Sequence, residues 1–290
     1  MSAGLLEARG TRAVRLGPLS ARVDLRMLGA AAVALVLLAA AVAVDLSRGS
    51  AQLGLGDVVG VLTGGGEAGA RFVVTELRLP RTTTGIAVGA LLGLSGALLQ
   101  AFARNPLASP DILGVDRGAA TGAVLVILAA TALPAAAGPL QAVGVPLAAG
   151  AGALATAGLI YALAWRRGVE GTRLVLIGIG IAAALQGLIS FMLIGARLEW
   201  AAEAVRYLSG SLSGRGYAQV AQAGVALAVL LPLALVLGHR LDALVLGDDS
   251  ARALGFGLQR SQLAVLLVSV AAAAAAVVAS GPIGFVALLV

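Results

Sequence analysis

The sequence predicts an all-α protein that crosses a membrane several times, and three observations carry that reading. Of 290 residues, 60% are hydrophobic and only 12% charged, with a mean hydropathy of +1.01; a soluble domain carries about 25% charged residues. The charges gather in clusters, and the uncharged intervals between them are long enough to cross a hydrocarbon layer, which takes about 20 apolar residues. Those intervals are rich in Ala, Leu and Gly and lack the polar–apolar alternation of barrel strands, which selects helices.

Residues 1–26 form a polar tail with five arginines, read as cytoplasmic, and residues 27–290 form the membrane domain. The first uncharged run, 27–44, contains Ala41-Val42-Ala43, which looks like a signal cleavage site. The run nevertheless exceeds the roughly 7–15-residue apolar core of a signal peptide, so a retained helix is expected. The second run, 82–103, follows a turn built on Pro80 between Arg78 and Arg81. Gly85, Gly89, Gly93 and Gly96 recur along it at helical spacing, a pattern that lets another helix backbone come close inside a bilayer. It ends at a polar loop holding Arg104, Asn105, Pro106 and Pro110.

Further runs cover 118–138, 141–164, 174–195, 217–238 and 262–280. An eighth begins at Gly281 and is expected to be a helix that the chain leaves partway, at Val290, as a truncated product would. Thirteen of the 20 arginines fall in 1–26, 104–117, 165–173 and 239–261, against seven in 45–81 and 196–216. The positive-inside rule therefore places the N-terminus in the cytoplasm.

Composition removes several function classes. All 20 basic residues are arginine, and a P-loop needs a lysine to reach its phosphates, so no such ATP site is present. Without cysteine there are no disulfides and no thiolate metal sites. His239, the only histidine, sits beside Arg240 at the end of an apolar run and reads as an interfacial residue, not a metal ligand. The pI near 11.1 comes from arginines flanking apolar runs, which fits a membrane better than nucleic acid.

The proposed spans contain no Asp, Glu, Arg, Lys or His. A proton-coupled carrier usually displays a titratable intramembrane group, so that class is disfavoured. The polar groups left inside are mainly Ser95, Gln100, Thr121, Thr156, Gln186, Ser190, Gln219, Gln222 and Ser269. Gln186 and Ser190 share a helix face; they either line a polar pathway or bond between helices.

Uphill transport would then draw on another chain, and loop 239–261 is where the two would meet. Asp248, Asp249 and Ser250 offer N-caps for a short helix at Ala251–Leu254, and Gly255 and Gly257 can end it. Leu244, Leu246, Leu254 and Phe256 are available to a partner. Connectors between packed helices usually run about 2–8 residues, so one this long is more than a connector.

Five segments in order, LRLPR (77–81), NPLASPDILGVDRGAATG (105–122), YLSGSL (207–212), LGDDSARALGF (246–256) and SGPIGFVALLV (280–290), carry a resemblance. The chain resembles the FecCD-type permeases, the membrane subunits of ATP-driven importers for iron-siderophores, haem and cobalamin. The resemblance implies the type II ABC importer architecture of ten helices, of which about eight would be present here. It implies a second permease subunit, identical or homologous, two ATP-binding cassette ATPase subunits and an extracytoplasmic substrate-binding protein, all at a bacterial cell membrane. It implies no enzyme activity, no cofactor and no nucleic acid.

By the same resemblance Arg78 and Arg81 dock acidic residues of the binding protein, and two guanidinium groups can grip carboxylates bidentately. Asp248, Ala251, Arg252 and Gly255 are contact positions for the ATPases. Asn105, Pro106 and Pro110 shape a cytoplasmic loop, and Gly171 and Thr172 stand where relatives narrow the inner mouth of the pathway, with Gln186 and Ser190 as further pathway candidates. The family continues past the segment matching 280–290 into two more helices. The competing reading is a stand-alone secondary transporter or channel for a small solute. An intramembrane enzyme is poorer still, since no buried Cys, His or carboxylate is at hand.

Overall fold

The computed structural model describes residues 11–16, 19–49, 51–130, 138, 143–165, 171–245 and 257–289. It divides into two compact units, 1–79 and 80–290. The first opens with strands β1 (Thr11–Leu16) and β2 (Leu19–Asp24), paired antiparallel from Thr11 opposite Asp24 to Leu16 opposite Leu19. This hairpin departs from the plain tail expected of 1–26. Its signal was present: Gly17-Pro18 is a turn dipeptide between two short mixed runs.

Helix α1 (Leu25–Ser47) follows, and its Ala-, Val- and Leu-rich sequence remains exposed along nearly all its length. Helices α2 (Leu55–Leu62) and α3 (Ala68–Phe72) and a π-helical stretch, Val73–Arg78, complete the unit. Asp57 caps α2 by accepting the Gly54 amide at 2.9 Å. A small core of Leu46, Val58, Val61 and Val74 closes it.

The second unit contains α4 (Leu79–Ala103), α5 (Val115–Ala129), α6 (Val145–Ala164), α7 (Gly171–Ile194), α8 (Leu198–Leu208), α9 (Tyr217–Val245) and α10 (Leu258–Ser280). Among the described residues six helices are long and apolar enough to cross a membrane: α1, the helical run 68–103 ending in α4, α6, α7, α9 and α10. The expected runs at 27–44, 82–103, 141–164, 174–195, 217–238 and 262–280 thus each fall on a long helix. In the second unit Leu99, Val124, Leu174, Val265 and Val270 are buried in one apolar core and Leu91 in a second.

Four expectations are corrected. The eighth run is not a helix: Gly281 (φ +76°) ends α10, and the chain proceeds without regular structure to Phe285 (φ +66°) and a 3₁₀ turn at Val286–Leu288. Hydropathy alone does not separate a helix from an apolar segment whose backbone is broken by left-handed residues such as Gly281 and Phe285. Second, Gly85, Gly89 and Gly96 of α4 do not form a helix–helix seam. Gly89 has nothing within 4 Å of a would-be Cβ, Gly85 faces a Leu212 methyl, and Gly96 receives the backbone of Ala287 in the 3₁₀ turn.

The close helix approach lies elsewhere, between α5 and α6. There Gly118 packs on Gly152 and Thr156, and Gly122 packs on the Ala148 carbonyl. Third, the segments 45–81 and 196–216, which lack a long uncharged run, contain folded elements the hydropathy pattern conceals, α2, α3 and α8. The last is amphipathic, with Ala204 buried, Trp200 and Tyr207 packed on the core, and Glu203 and Arg206 paired at 3.4 Å on the surface. The fourth correction, of charge-free spans, rests on the geometry of the 104–117 segment.

Candidate functional site

Helix α7 serves as a depth gauge for that segment, because 24 residues rise ~36 Å at ~1.5 Å per residue. At its start, a methyl group on Gly171 would fall 2.9 Å from the Ala103 carbonyl oxygen at the end of α4. A methyl on Gly178, about 10 Å further along, would fall 2.9 Å from Leu113 Cα. Gly114 (φ +80°) packs against Ala182, and Arg117 donates from Nη1 to Gln186 Oε1 at 2.7 Å, about 22 Å from Gly171.

The stretch 104–117 therefore climbs beside α7, a helix long and apolar enough to cross a membrane, to near the middle of that helix's length. Turns at 106–114 and the left-handed Gly114 lead directly into α5. This is the fourth correction: Asp111, Asp116 and Arg117 stand level with membrane-spanning residues. A charged side chain at the centre of a bilayer costs roughly 2.5–3.5 kcal/mol on insertion scales, so such groups face protein or water.

Each is held. Asp111 Oδ2 accepts the Phe285 amide at 2.9 Å, which ties the climbing segment to the return after α10. Asp116 is buried, and its Oδ2 lies 3.8 Å from Arg117 Nε; the Arg117 side chain itself remains 43% exposed. Asp111 Oδ1, Asp116 Oδ1, Ser109 Oγ and Gln262 Oε1 are buried without a hydrogen-bond partner. Ser190 Oγ donates to the Gln186 carbonyl at 3.0 Å, and both residues are exposed.

The return segment gathers three of the distinctive motifs. Tyr207 Oη donates to the Val277 carbonyl at 3.5 Å, Ser211 donates its amide to the Ser280 carbonyl at 2.9 Å, and Gly210 (φ +59°) packs on Pro282. Burial pushes the Tyr207 phenol up to about 12, so it remains a donor. Further along, Gln100 donates from Nε2 to the Ala287 carbonyl at 3.4 Å. Beside it Ser95 and Ser269 hydroxyls meet at 3.0 Å and join α4 to α10. YLSGSL, SGPIGFVALLV and NPLASPDILG thus converge on residues 280–289, a meeting that spacing in the sequence does not disclose.

The other candidates lie apart. Arg78 is buried and donates from Nη1 to the Leu46 carbonyl at 2.7 Å and from Nη2 to the Ala51 carbonyl; Arg81 is exposed. Asn105 Oδ1 accepts the Leu107 amide at 2.9 Å, a local turn bond. Asn105 and Pro106 are exposed and Pro110 is buried. Gly171 is held against Ala103 and Thr172 is exposed. Asp248, Ala251, Arg252 and Gly255 lie outside the described residues. Among the described residues no three His, Cys, Asp or Glu side chains are grouped to hold a metal ion.

With this geometry in hand, comparison with known proteins is specific. A model of the FecCD transport family matches residues 36–290. The ferric enterobactin transport system permease protein FepG of Escherichia coli K12 is 38% identical over 245 residues, covering 84% of this chain and 72% of that protein. The achromobactin transport system permease protein CbrC of Dickeya dadantii is 38% identical over 277 residues, covering 95% and 77%. A metal-chelate type ABC transporter solved in an inward-facing conformation superposes with a TM-score of 0.74 at 26% identity, over 88% of this chain and 77% of that one.

Proposed function

The chain belongs to the FecCD transport family, and from that premise we propose that it carries a ferric chelate inward across a bacterial cell membrane. It is a membrane-spanning permease subunit of an ABC importer. In the proposed assembly two such subunits, identical or homologous, flank a central pathway. Two ATPase subunits power them from the cytoplasm, and a binding protein delivers the chelate from outside. Haem and cobalamin are the other cargoes of the class.

The carrying observation is the pair of segments outside the α-helices, 104–114 and 281–289, that meet at Asp111 and Phe285, a meeting this reading sets within the membrane thickness. Irregular backbone at that depth is tolerated where protein encloses it or where it borders an aqueous cavity. A helix bundle interrupted in this way favours a carrier of bulky cargo. The cargo class is supported by the two 38%-identical relatives, permeases of a ferric enterobactin and an achromobactin transport system.

Arginine placement supports a cytoplasmic N-terminus, which sets Arg81 on the outer side, exposed and able to take a carboxylate of the binding protein. Arg78 acts there by ordering the loop after α1, whose carbonyls it binds. Asp248, Ala251, Arg252 and Gly255 seat the ATPases, Asn105, Pro106 and Pro110 shape the inner turn, and Gly171 and Thr172 narrow the inner mouth. Gln186 and Ser190 line the pathway.

Reconstitution tests the reading. Proteoliposomes holding the permease, its ATPase and its binding protein are expected to accumulate labelled ferric chelate only when ATP is supplied to the ATPase. Accumulation without any ATPase would favour the stand-alone carrier. Replacing residues 248–255 by a Gly-Ser segment of equal length is expected to abolish both co-purification with the ATPase and uptake. Normal uptake by that variant overturns the coupling assignment.

A further inference from the structure

Arg117 is the one described arginine placed near the middle of α7's length, and its environment is not that of a structural ion pair. Asp116 Oδ2 approaches Nε from the buried side at 3.8 Å, beyond hydrogen-bond distance, and has 11% of its side chain exposed against 43% for Arg117. Gln186 Oε1 accepts from Nη1 at 2.7 Å. With its oxygen thus engaged, the Gln186 amide presents its NH₂ group outward.

Gln186 is exposed, and so are Ala183 and Gly187 beside it, which leaves the amide uncovered on its own helix. Arg117 and Gln186 together present N–H donors outward, with Asp116 Oδ2 behind the guanidinium. Thr121 does not compete, since its hydroxyl is committed to the Arg117 carbonyl at 2.7 Å. A half-exposed guanidinium at this depth is untenable against hydrocarbon, so the α5–α7 face borders water.

We propose that Arg117, oriented by Gln186, is an anion-recognition site in the aqueous pathway that takes the carboxylate or catecholate oxygens of a negatively charged ferric chelate. This rests on the permease reading above and adds the charge class of the cargo. The planar guanidinium matches two oxygens side by side, so it favours anionic chelates over neutral ones of similar bulk. The site is a way-station and not a sink: one cation with Asp116 behind it holds an anion weakly enough to release it.

Two measurements on the assembled importer decide the matter. Uptake of anionic ferric citrate is expected to fall about ten-fold in Arg117→Gln, with Arg117→Lys recovering a substantial part, while uptake of an uncharged ferric trihydroxamate stays within two-fold. Equal loss for both chelates, or loss for neither, overturns the proposal. The chain has no cysteine, so Arg117→Cys and Gln186→Cys give single thiols on a clean background. Both are expected to react with a water-soluble anionic thiosulfonate reagent, and more slowly with ferric citrate present, while Leu113→Cys, at a position 2% exposed, does not react. An unreactive thiol at 117 overturns the site even if uptake is normal. If the thiols react with citrate-sensitive rates but the wild-type importer accumulates neither chelate, the import reading fails and the site stands.

Discussion

Arg78 and Arg81 show what a residue-level reading of sequence can and cannot separate. Both flank Pro80 and both read as outward-facing cations able to grip a carboxylate. Burial divides them. Arg78 spends its guanidinium on the Leu46 and Ala51 carbonyls, bonds between residues some thirty positions apart that no local pattern announces. Hydrogen bonds to a charged group contribute roughly 1.5–3 kcal/mol, so Arg78→Ala is expected to lower thermal stability by about that amount. Arg81→Glu should leave the melting temperature nearly unchanged and weaken binding-protein affinity by ten-fold or more. The contrast is read by calorimetry on the purified permease beside binding-protein titration on the same samples. If Arg78→Ala weakens binding without loss of stability, its role is direct docking.

At the scale of elements, long uncharged runs announced the helices because water offers no competing home for twenty consecutive apolar residues. The pairing of those helices was less legible. Small-residue spacing drew attention to α4, yet the backbone-to-backbone seam is Gly118 and Gly122 of α5 on Gly152 and Ala148 of α6. Glycine spacing marks a face that can be approached; which neighbour approaches depends on the whole bundle. Gly152→Leu would drive a side chain into the Gly118 carbonyl and is expected to cost ~1–3 kcal/mol or more, as overpacking does. Gly158→Leu, on the same helix with nothing within 4 Å, is expected to be tolerated. Thermal unfolding of the two variants in one detergent makes the comparison, and equal tolerance would show that α5 and α6 separate at low cost.

The whole membrane domain obeys a length constraint that charge counting overlooks. Helix α5 has 15 residues, ~22 Å of rise, too little for a ~30 Å hydrocarbon layer. The deficit is met by the turns of 104–114, which climb beside α7 before α5 begins. Reading every charge cluster as a surface loop fails here because Asp111 and Arg117 are tied to protein partners, the Phe285 amide and the Gln186 side chain. The cue available in advance was the density of Pro, Ser and Gly between Pro106 and Gly114, unusual for a loop carrying so little charge.

A thiol-accessibility series along this segment tests the climb directly. Arg104→Cys and Leu107→Cys, both exposed positions, are expected to react with an impermeant reagent from one membrane face only, the cytoplasmic face if arginine bias sets the orientation. Ala108→Cys and Leu113→Cys, at positions 1% and 2% exposed, are expected to stay unreactive until the protein is unfolded. Uniform reactivity from 104 to 114 would return the segment to the membrane surface. It would also remove Arg117 from the middle of the bilayer, because Gly178 and Gly114 fix the climb at two levels and neither contact survives if the segment lies flat.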